Sequence, residues 1–110
     1  MRQGEIWRAN LNPTKGSEQA GFRPVVIVSG NLLNENLGTV IIIPLTSKVK
    51  KYKGNPVLTP DKVNGLKKES EMLVFHIRSV AKYRLVETTG NISGEEFKRA
   101  MKTLNDILKY

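Results

Sequence analysis

Two aliphatic runs constrain this chain more than any other feature. Val25-Val26-Ile27-Val28 and Val40-Ile41-Ile42-Ile43 each set four β-branched side chains in succession. Such residues favour extended backbone, and both runs fall far below the roughly 18 apolar residues that a bilayer-spanning helix needs. Side chains alternate across a strand, so a strand without a polar position must be covered on both faces. Pro24 sets the start of the first run, because proline is tolerated at the beginning of a strand and not in its middle. The second strand begins at Thr39 and runs through Pro44 into Leu45-Thr46-Ser47.

The rest of the chain predicts shorter pieces around these two. Trp7, Ala9 and Leu11 alternate with Arg8 and Asn10, the pattern of a half-buried strand. Asn12 to Phe22 reads as a loop of about ten residues, long enough to raise the question of a functional role. Asn31 to Leu37 reads as a helical turn ended by Gly38, and Pro56 to Thr59 as a short edge strand. Asp61 to Lys68 is a polar turn around Asn64-Gly65. Met72 to Val80 reads as one strand, with Leu73, Phe75 and Ile77 on one side and Val74, His76 and Arg78 on the other. Arg84 to Thr88 adds a last short strand. Ser93-Gly94-Glu95-Glu96 fits a capping box, followed by Phe97, Met101, Leu104, Ile107 and Leu108 at helical spacing beside Ala100. With 110 residues the chain holds one domain, residues 1–110. The expected fold is mainly β (α+β): a small, strongly bent sheet or barrel capped by a C-terminal amphipathic helix.

Charge narrows the partners. Lys and Arg number 18 against 10 Asp and Glu, a net charge of +8. Such an excess suits a polyanion, either nucleic acid or an anionic membrane surface, or serves only to keep the chain soluble. The sequence has no cysteine, which excludes disulfides, thiolate zinc sites and cysteine nucleophiles. Its one histidine, His76, excludes any site that needs two from one chain. No apolar signal-peptide region follows Met1-Arg2-Gln3-Gly4-Glu5, so the expected location is cytoplasmic.

Candidate chemistry gathers in two places. In the segment from Pro13 to Pro24, Gly16 and Gly21 permit backbone angles closed to other residues. Arg23 emerges where this loop meets a buried strand, and its guanidinium offers a rigid fork of donors suited to phosphate oxygens. Glu18 either takes a proton or pairs with Arg23 and orders the loop. Thr46 ends the second buried strand, where its hydroxyl either donates to a phosphate oxygen or bonds its own turn. Lys48, Lys50, Lys51 and Lys53 form a mobile cationic loop, either a steering surface or simply solvated. His76 is either a satisfied surface or partly buried residue or a base. The chain has seven aromatic residues, leaving few for a base-stacking platform.

These residues, in this order, resemble the MazF/PemK family of toxin endoribonucleases. The likeness runs from Gly4-Glu5-Ile6-Trp7 through Leu11-Asn12-Pro13-Thr14-Lys15-Gly16-Ser17-Glu18-Gln19-Ala20-Gly21. It continues through Arg23-Pro24-Val25-Val26 to Pro44-Leu45-Thr46-Ser47, then through Ile77-Arg78-Ser79-Val80 to the final helix. The resemblance implies a small SH3-like β-barrel of the CcdB/PemK kind with a C-terminal helix, assembled as a homodimer. It implies cleavage of single-stranded RNA, often mRNA, at short motifs and without a metal or other cofactor. It also implies inhibition of translation and growth, and a cognate antitoxin whose disordered tail wraps the toxin.

By the same resemblance, the family's catalytic arginine falls on Arg23, its threonine on Thr46 and its loop glutamate on Glu18. Ser17, Gln19, Ser47, Lys48 and His76 fall among substrate-binding positions. Some members use an aspartate and a histidine as acid and base, and the matching positions here carry Phe75 and Ser17. Others carry an RNA-touching glutamine where this chain has His76, which implies a base-recognition role for that residue. The implied reaction is attack of a ribose 2′-OH on the adjacent phosphorus, giving a 2′,3′-cyclic phosphate and a 5′-OH end. A non-enzymatic toxin of the same fold that poisons a protein such as DNA gyrase is the alternative, because one scaffold hosts both activities.

Overall fold

A computed structural model describes residues 1–11 and 21–109 of the chain. Among the described residues, seven strands build one antiparallel sheet: β1 (Glu5–Asn10), β2 (Phe22–Ile27), β3 (Thr39–Thr46), β4 (Val57–Leu58), β5 (Ser70–Met72), β6 (Arg78–Ala81) and β7 (Leu85–Asn91). A six-residue helix, α1 (Asn31–Asn36), joins β2 to β3, and the long helix α2 (Gly94–Lys109) ends the chain. The strand order is β4-β5-β3-β2-β1-β7, with β6 paired to β3. The fold is mainly β with a C-terminal helix, as expected. No helix among the described residues is long and apolar enough to cross a membrane.

The two aliphatic runs lie at the centre, and alternation sends their side chains to opposite cores, except that Ile41, expected to be buried, is exposed. Val26 and Val28 of the first run join Ile43, Leu45, Met72, Val74 and Ala100 on the side that α2 covers. Val25 and Ile27 join Ala9, Val40, Ile42 and Val80 on the other side. In β1 the buried residues are Ile6 and Ala9, and shifts in register against β7 between Ile6 and Trp7 and between Arg8 and Ala9 break strict alternation there. β2 begins two residues ahead of Pro24, at Phe22.

Helix α2 starts as its capping box predicts. The Glu96 N–H donates to Ser93 Oγ at 3.1 Å, and Glu96 Oε1 accepts from the Ser93 N–H at 2.8 Å. Phe97, Met101 and Leu104 pack on the core around Ala100. Ile107 and Leu108, expected to extend that stripe, are instead 42% and 77% exposed and lie outside the core cluster that Phe97, Met101 and Leu104 join.

The expected single strand from 72 to 80 is also corrected. It breaks into the end of β5, a 3₁₀ turn at Val74–His76 and then β6. The His76 N–H bonds the Leu73 carbonyl at 2.9 Å, so backbone groups that a ladder would use are consumed locally. Val74 points into the core while Phe75 and His76 emerge into solvent.

A buried Asn64 holds the turn between β4 and β5. Its Oδ1 accepts from the Asp61 and Leu66 N–H groups, and its Nδ2 donates to the Thr59 carbonyl. This turn lies hard against β7. A Cβ at Gly90 would sit 2.2 Å from the Val63 carbonyl oxygen, so only glycine permits the approach.

Candidate active site

Strand register brings the two principal candidates together. Val25 of β2 faces Pro44 of β3, and the same antiparallel register carried two residues further sets Arg23 level with Thr46. Arg23 is braced on its other side by Ala9 of β1, and Thr46 by Glu71 of β5. Both residues are half-buried, with their strands anchored in the core.

Arg23 and Thr46 form the shared wall of two cavities. The first, of about 470 Å³, is also lined by Lys48, Ser47, Phe22 and Leu45, and by Lys67 and Lys68 of the turn before β5. The second, of about 350 Å³, adds His76, Arg78, Leu73 and Leu11. No acidic side chain lines either one among the described residues. Arg8, on the rim of the first, bonds Glu87 at 2.9 Å and lies 4.4 Å above the Phe22 ring. Among the described residues no carboxylate is within ion-pair distance of Arg23. Its fork therefore meets a positively charged, partly apolar space suited to an anionic ligand.

The Thr46 hydroxyl does bond its own turn, as an acceptor: the Lys48 N–H donates to Oγ1 at 3.1 Å. Because a hydroxyl accepts and donates at once, this bond orients the oxygen and leaves its proton for a ligand in the cavity. Ser47 and Lys48 are exposed on the rim, and His76 on the far side of the second cavity. Glu18, Ser17 and Gln19 lie outside the described residues. No three side chains of His, Asp or Glu gather as metal ligands among the described residues.

Sequence reading missed Glu71. Its carboxylate is fully buried, one strand over from Thr46. Oε1 accepts from the Lys50 and Lys51 N–H groups at 2.8 and 3.0 Å, and Oε2 from the Tyr52 N–H and Asn55 Nδ2, both at 3.0 Å. Three successive amides converge on one anion because Lys51 takes a left-handed backbone, φ 57°. Burial pushes the Glu71 carboxyl up, but the bonds from Asn55 and the three amides outweigh it and hold the group below its ordinary value. The backbone of the lysine loop, expected to be mobile, is thus tied to the sheet from 50 to 55.

A second correction concerns the aromatic residues. Phe22, Tyr52, Phe75 and Tyr83 are all exposed, with Tyr52 and Phe75 beside the site. Composition could not reveal this, because the exposure of Phe75 and Tyr52 follows from the 3₁₀ turn and the Glu71-held loop.

The sequence profile described as PemK-like, MazF-like toxin of type II toxin–antitoxin system matches residues 2–108. The chain is 33% identical to endoribonuclease MazF9 of Mycobacterium tuberculosis, over 94% of this chain and 92% of that protein. It is 34% identical to endoribonuclease MazF of Staphylococcus saprophyticus, over 96% and 88%. A MazE–MazF crystal structure from Deinococcus radiodurans superposes with a TM-score of 0.83, at 24% identity and with 99% and 96% of the two chains covered.

Proposed function

The chain belongs to the PemK-like, MazF-like toxins of type II toxin–antitoxin systems, and we propose that it acts there as a metal-independent endoribonuclease that cuts single-stranded RNA at short sequence motifs. The observation that carries this reading is that Arg23 and Thr46, on the adjacent strands β2 and β3, line the same two cationic cavities. The relatives named endoribonucleases support the same activity.

In this mechanism the ribose 2′-oxygen gives up its proton and attacks the adjacent phosphorus. The bond from phosphorus to the 5′-oxygen breaks, and that oxygen takes a proton. The products are a 2′,3′-cyclic phosphate and a 5′-OH end. Arg23 stabilises the charge that builds on the non-bridging oxygens, and the Thr46 hydroxyl donates to one of them. Glu18 is the candidate proton acceptor, and Arg23 the candidate proton donor to the leaving oxygen. DNA is spared because it lacks the 2′-OH. Ser17, Gln19, Ser47, Lys48 and His76 bind the strand on either side of the cut.

Cleavage of mRNA would inhibit translation and growth, and a cognate antitoxin would restrain the toxin. An acidic or mixed acidic and apolar antitoxin tail suits the same cationic cavities. Leu32, Leu33, Leu37 and Ile41 expose apolar surface around α1, which supports a homodimer. The test is incubation of the purified protein with a long single-stranded RNA in EDTA, followed by mapping of the ends. Discrete cuts with cyclic-phosphate and 5′-OH termini are expected, and none from a folded Arg23→Ala variant. RNA left intact across varied sequences refutes the reading.

A further inference from the structure

Three rings form a row beside the Arg23–Thr46 wall. Tyr52 meets Phe75 edge to face, with centroids 6.3 Å apart and planes at 86°. Phe75 meets His76 at 4.3 Å with a 46° tilt. Tyr52 and Phe75 are 52% and 55% exposed, so each keeps much of its surface in water. Water-exposed apolar surface of this size lacks the burial that ordinarily holds an aromatic ring in a small domain.

The backbone under each ring is nevertheless fixed. The Tyr52 N–H is one of the donors to the buried Glu71 carboxylate. Phe75 and His76 belong to the 3₁₀ turn, closed by bonds from the His76 N–H to the Leu73 carbonyl and from the Ile77 N–H to the Val74 carbonyl. The row is also continuous with the site, because His76 lines the same cavity as Arg23 and Thr46. Lys51 and Lys53 flank Tyr52 on its loop and are both exposed. Exposed aromatic faces bordered by cations are what an unpaired strand needs: a π-face for a base and a charge for its phosphate.

We propose that Tyr52, Phe75 and His76 form a stacking platform for an unpaired nucleobase of the RNA, next to the nucleotide whose phosphate meets Arg23. The proposal rests on the ribonuclease reading and deepens it. Stacking on Phe75 and Tyr52 is indifferent to base identity, since every base has a π-face. The ring nitrogens of His76 supply the hydrogen bonds that can tell one base edge from another. Pre-set rings spare the ordering cost that a loose loop would charge on binding. A protein segment is the less suitable occupant, because the row offers flat rings and no enclosed apolar pocket of the kind that anchors a peptide side chain.

The test measures binding of a single-stranded oligonucleotide that carries the cleavage motif with a 2′-deoxy sugar at the cut site. Phe75→Ala is expected to weaken binding about tenfold, the loss of one stacked base, while Phe75→Trp holds the wild-type affinity. Abasic nucleotides are then introduced one position at a time. One position should weaken the wild type by a similar factor and have no further effect on Phe75→Ala. Wild-type affinity in Phe75→Ala, or abasic losses that are the same in both proteins at every position, overturns the platform. If both proteins still cut RNA in that case, the ribonuclease reading stands without it. A wild-type chain that neither binds nor cuts RNA overturns both.

Discussion

Replacing Glu71 by glutamine asks how much of the fold and site hangs on one buried anion. The substitution keeps shape and volume. One oxygen survives, while the other becomes an NH₂ group facing two donors. If the amide oxygen keeps the Lys50 and Lys51 N–H groups, the Tyr52 N–H and Asn55 Nδ2 lose their acceptor. Hydrogen bonds to a charged group contribute about 1.5–3 kcal/mol each, so two lost bonds cost about 3 kcal/mol or more. Breaking a buried charged network from one side costs about 3–5 kcal/mol, which brackets the same figure. A loss of that size removes a large fraction of the stability of an ordinary domain, about 5–15 kcal/mol. In urea it should lower the unfolding midpoint by about 1–3 M.

The comparison has a pH signature. The carboxyl of Glu71 is held low in the folded chain, so its stabilisation is complete above the ordinary carboxylate value and is lost as pH falls through the lowered one. Glutamine carries no such proton, and the gap between the two proteins must therefore close in acid. Glu5 is also held low, because burial raises it less than the bonds from Trp7 and the Arg2 N–H lower it, but it titrates in both proteins and cancels. A loss below about 1 kcal/mol at neutral pH, or a gap that persists unchanged in acid, would refute the role given to Glu71.

Two further substitutions separate chemistry from packing. Thr46→Val keeps the side-chain shape and should cut the cleavage rate about a hundredfold, the usual loss of one charge-stabilising donor; a rate near wild type would remove Thr46 from the mechanism. Gly90→Ala forces a Cβ against the Val63 carbonyl and should cost 2 kcal/mol or more, lowering the melting temperature by roughly 8 °C or more. Gly30→Ala, with nothing within 4 Å, is the control, and equal melting temperatures for the two would show that the turn yields freely.

What sequence made legible was local. Four adjacent β-branched residues leave few alternatives to a strand covered on both faces, and both such runs became the central strands, with Ile41 alone left exposed among the eight. Ser93 and Glu96 are three residues apart and cap α2 without help from the fold. Arg23 and Thr46 were legible as types of residue at strand ends, and by resemblance, but their level pairing depends on a register that spans separate segments. Glu71 was illegible for the same reason. Its partners lie 16 to 21 residues away, and in Glu69-Ser70-Glu71-Met72 nothing local distinguishes a buried anion from a solvated one. The break at 74–76 escaped because Leu73 to Arg78 alternates as a strand would, while the turn is fixed by Val74 entering the core.

Strand pairing has a last consequence for the site. Apolar patterning normally fixes register, because a slip of one residue would turn the polar face inward. Val25 to Val28 has no polar face to misplace, so polarity says nothing about where β2 sits against β3. What remains is the pair of prolines, each without an N–H to give. Pro24 faces Arg8 and Pro44 faces Val25, and the Pro44 carbonyl accepts from the Leu73 N–H, away from β2, so a one-residue slip of β2 would turn the missing Pro24 donor toward a carbonyl of β1. A slip of one residue would carry Arg23 about 3.3 Å past Thr46 and turn it to the opposite face. Two residues with no chemistry of their own thus act as the ruler by which the guanidinium and the hydroxyl are aligned.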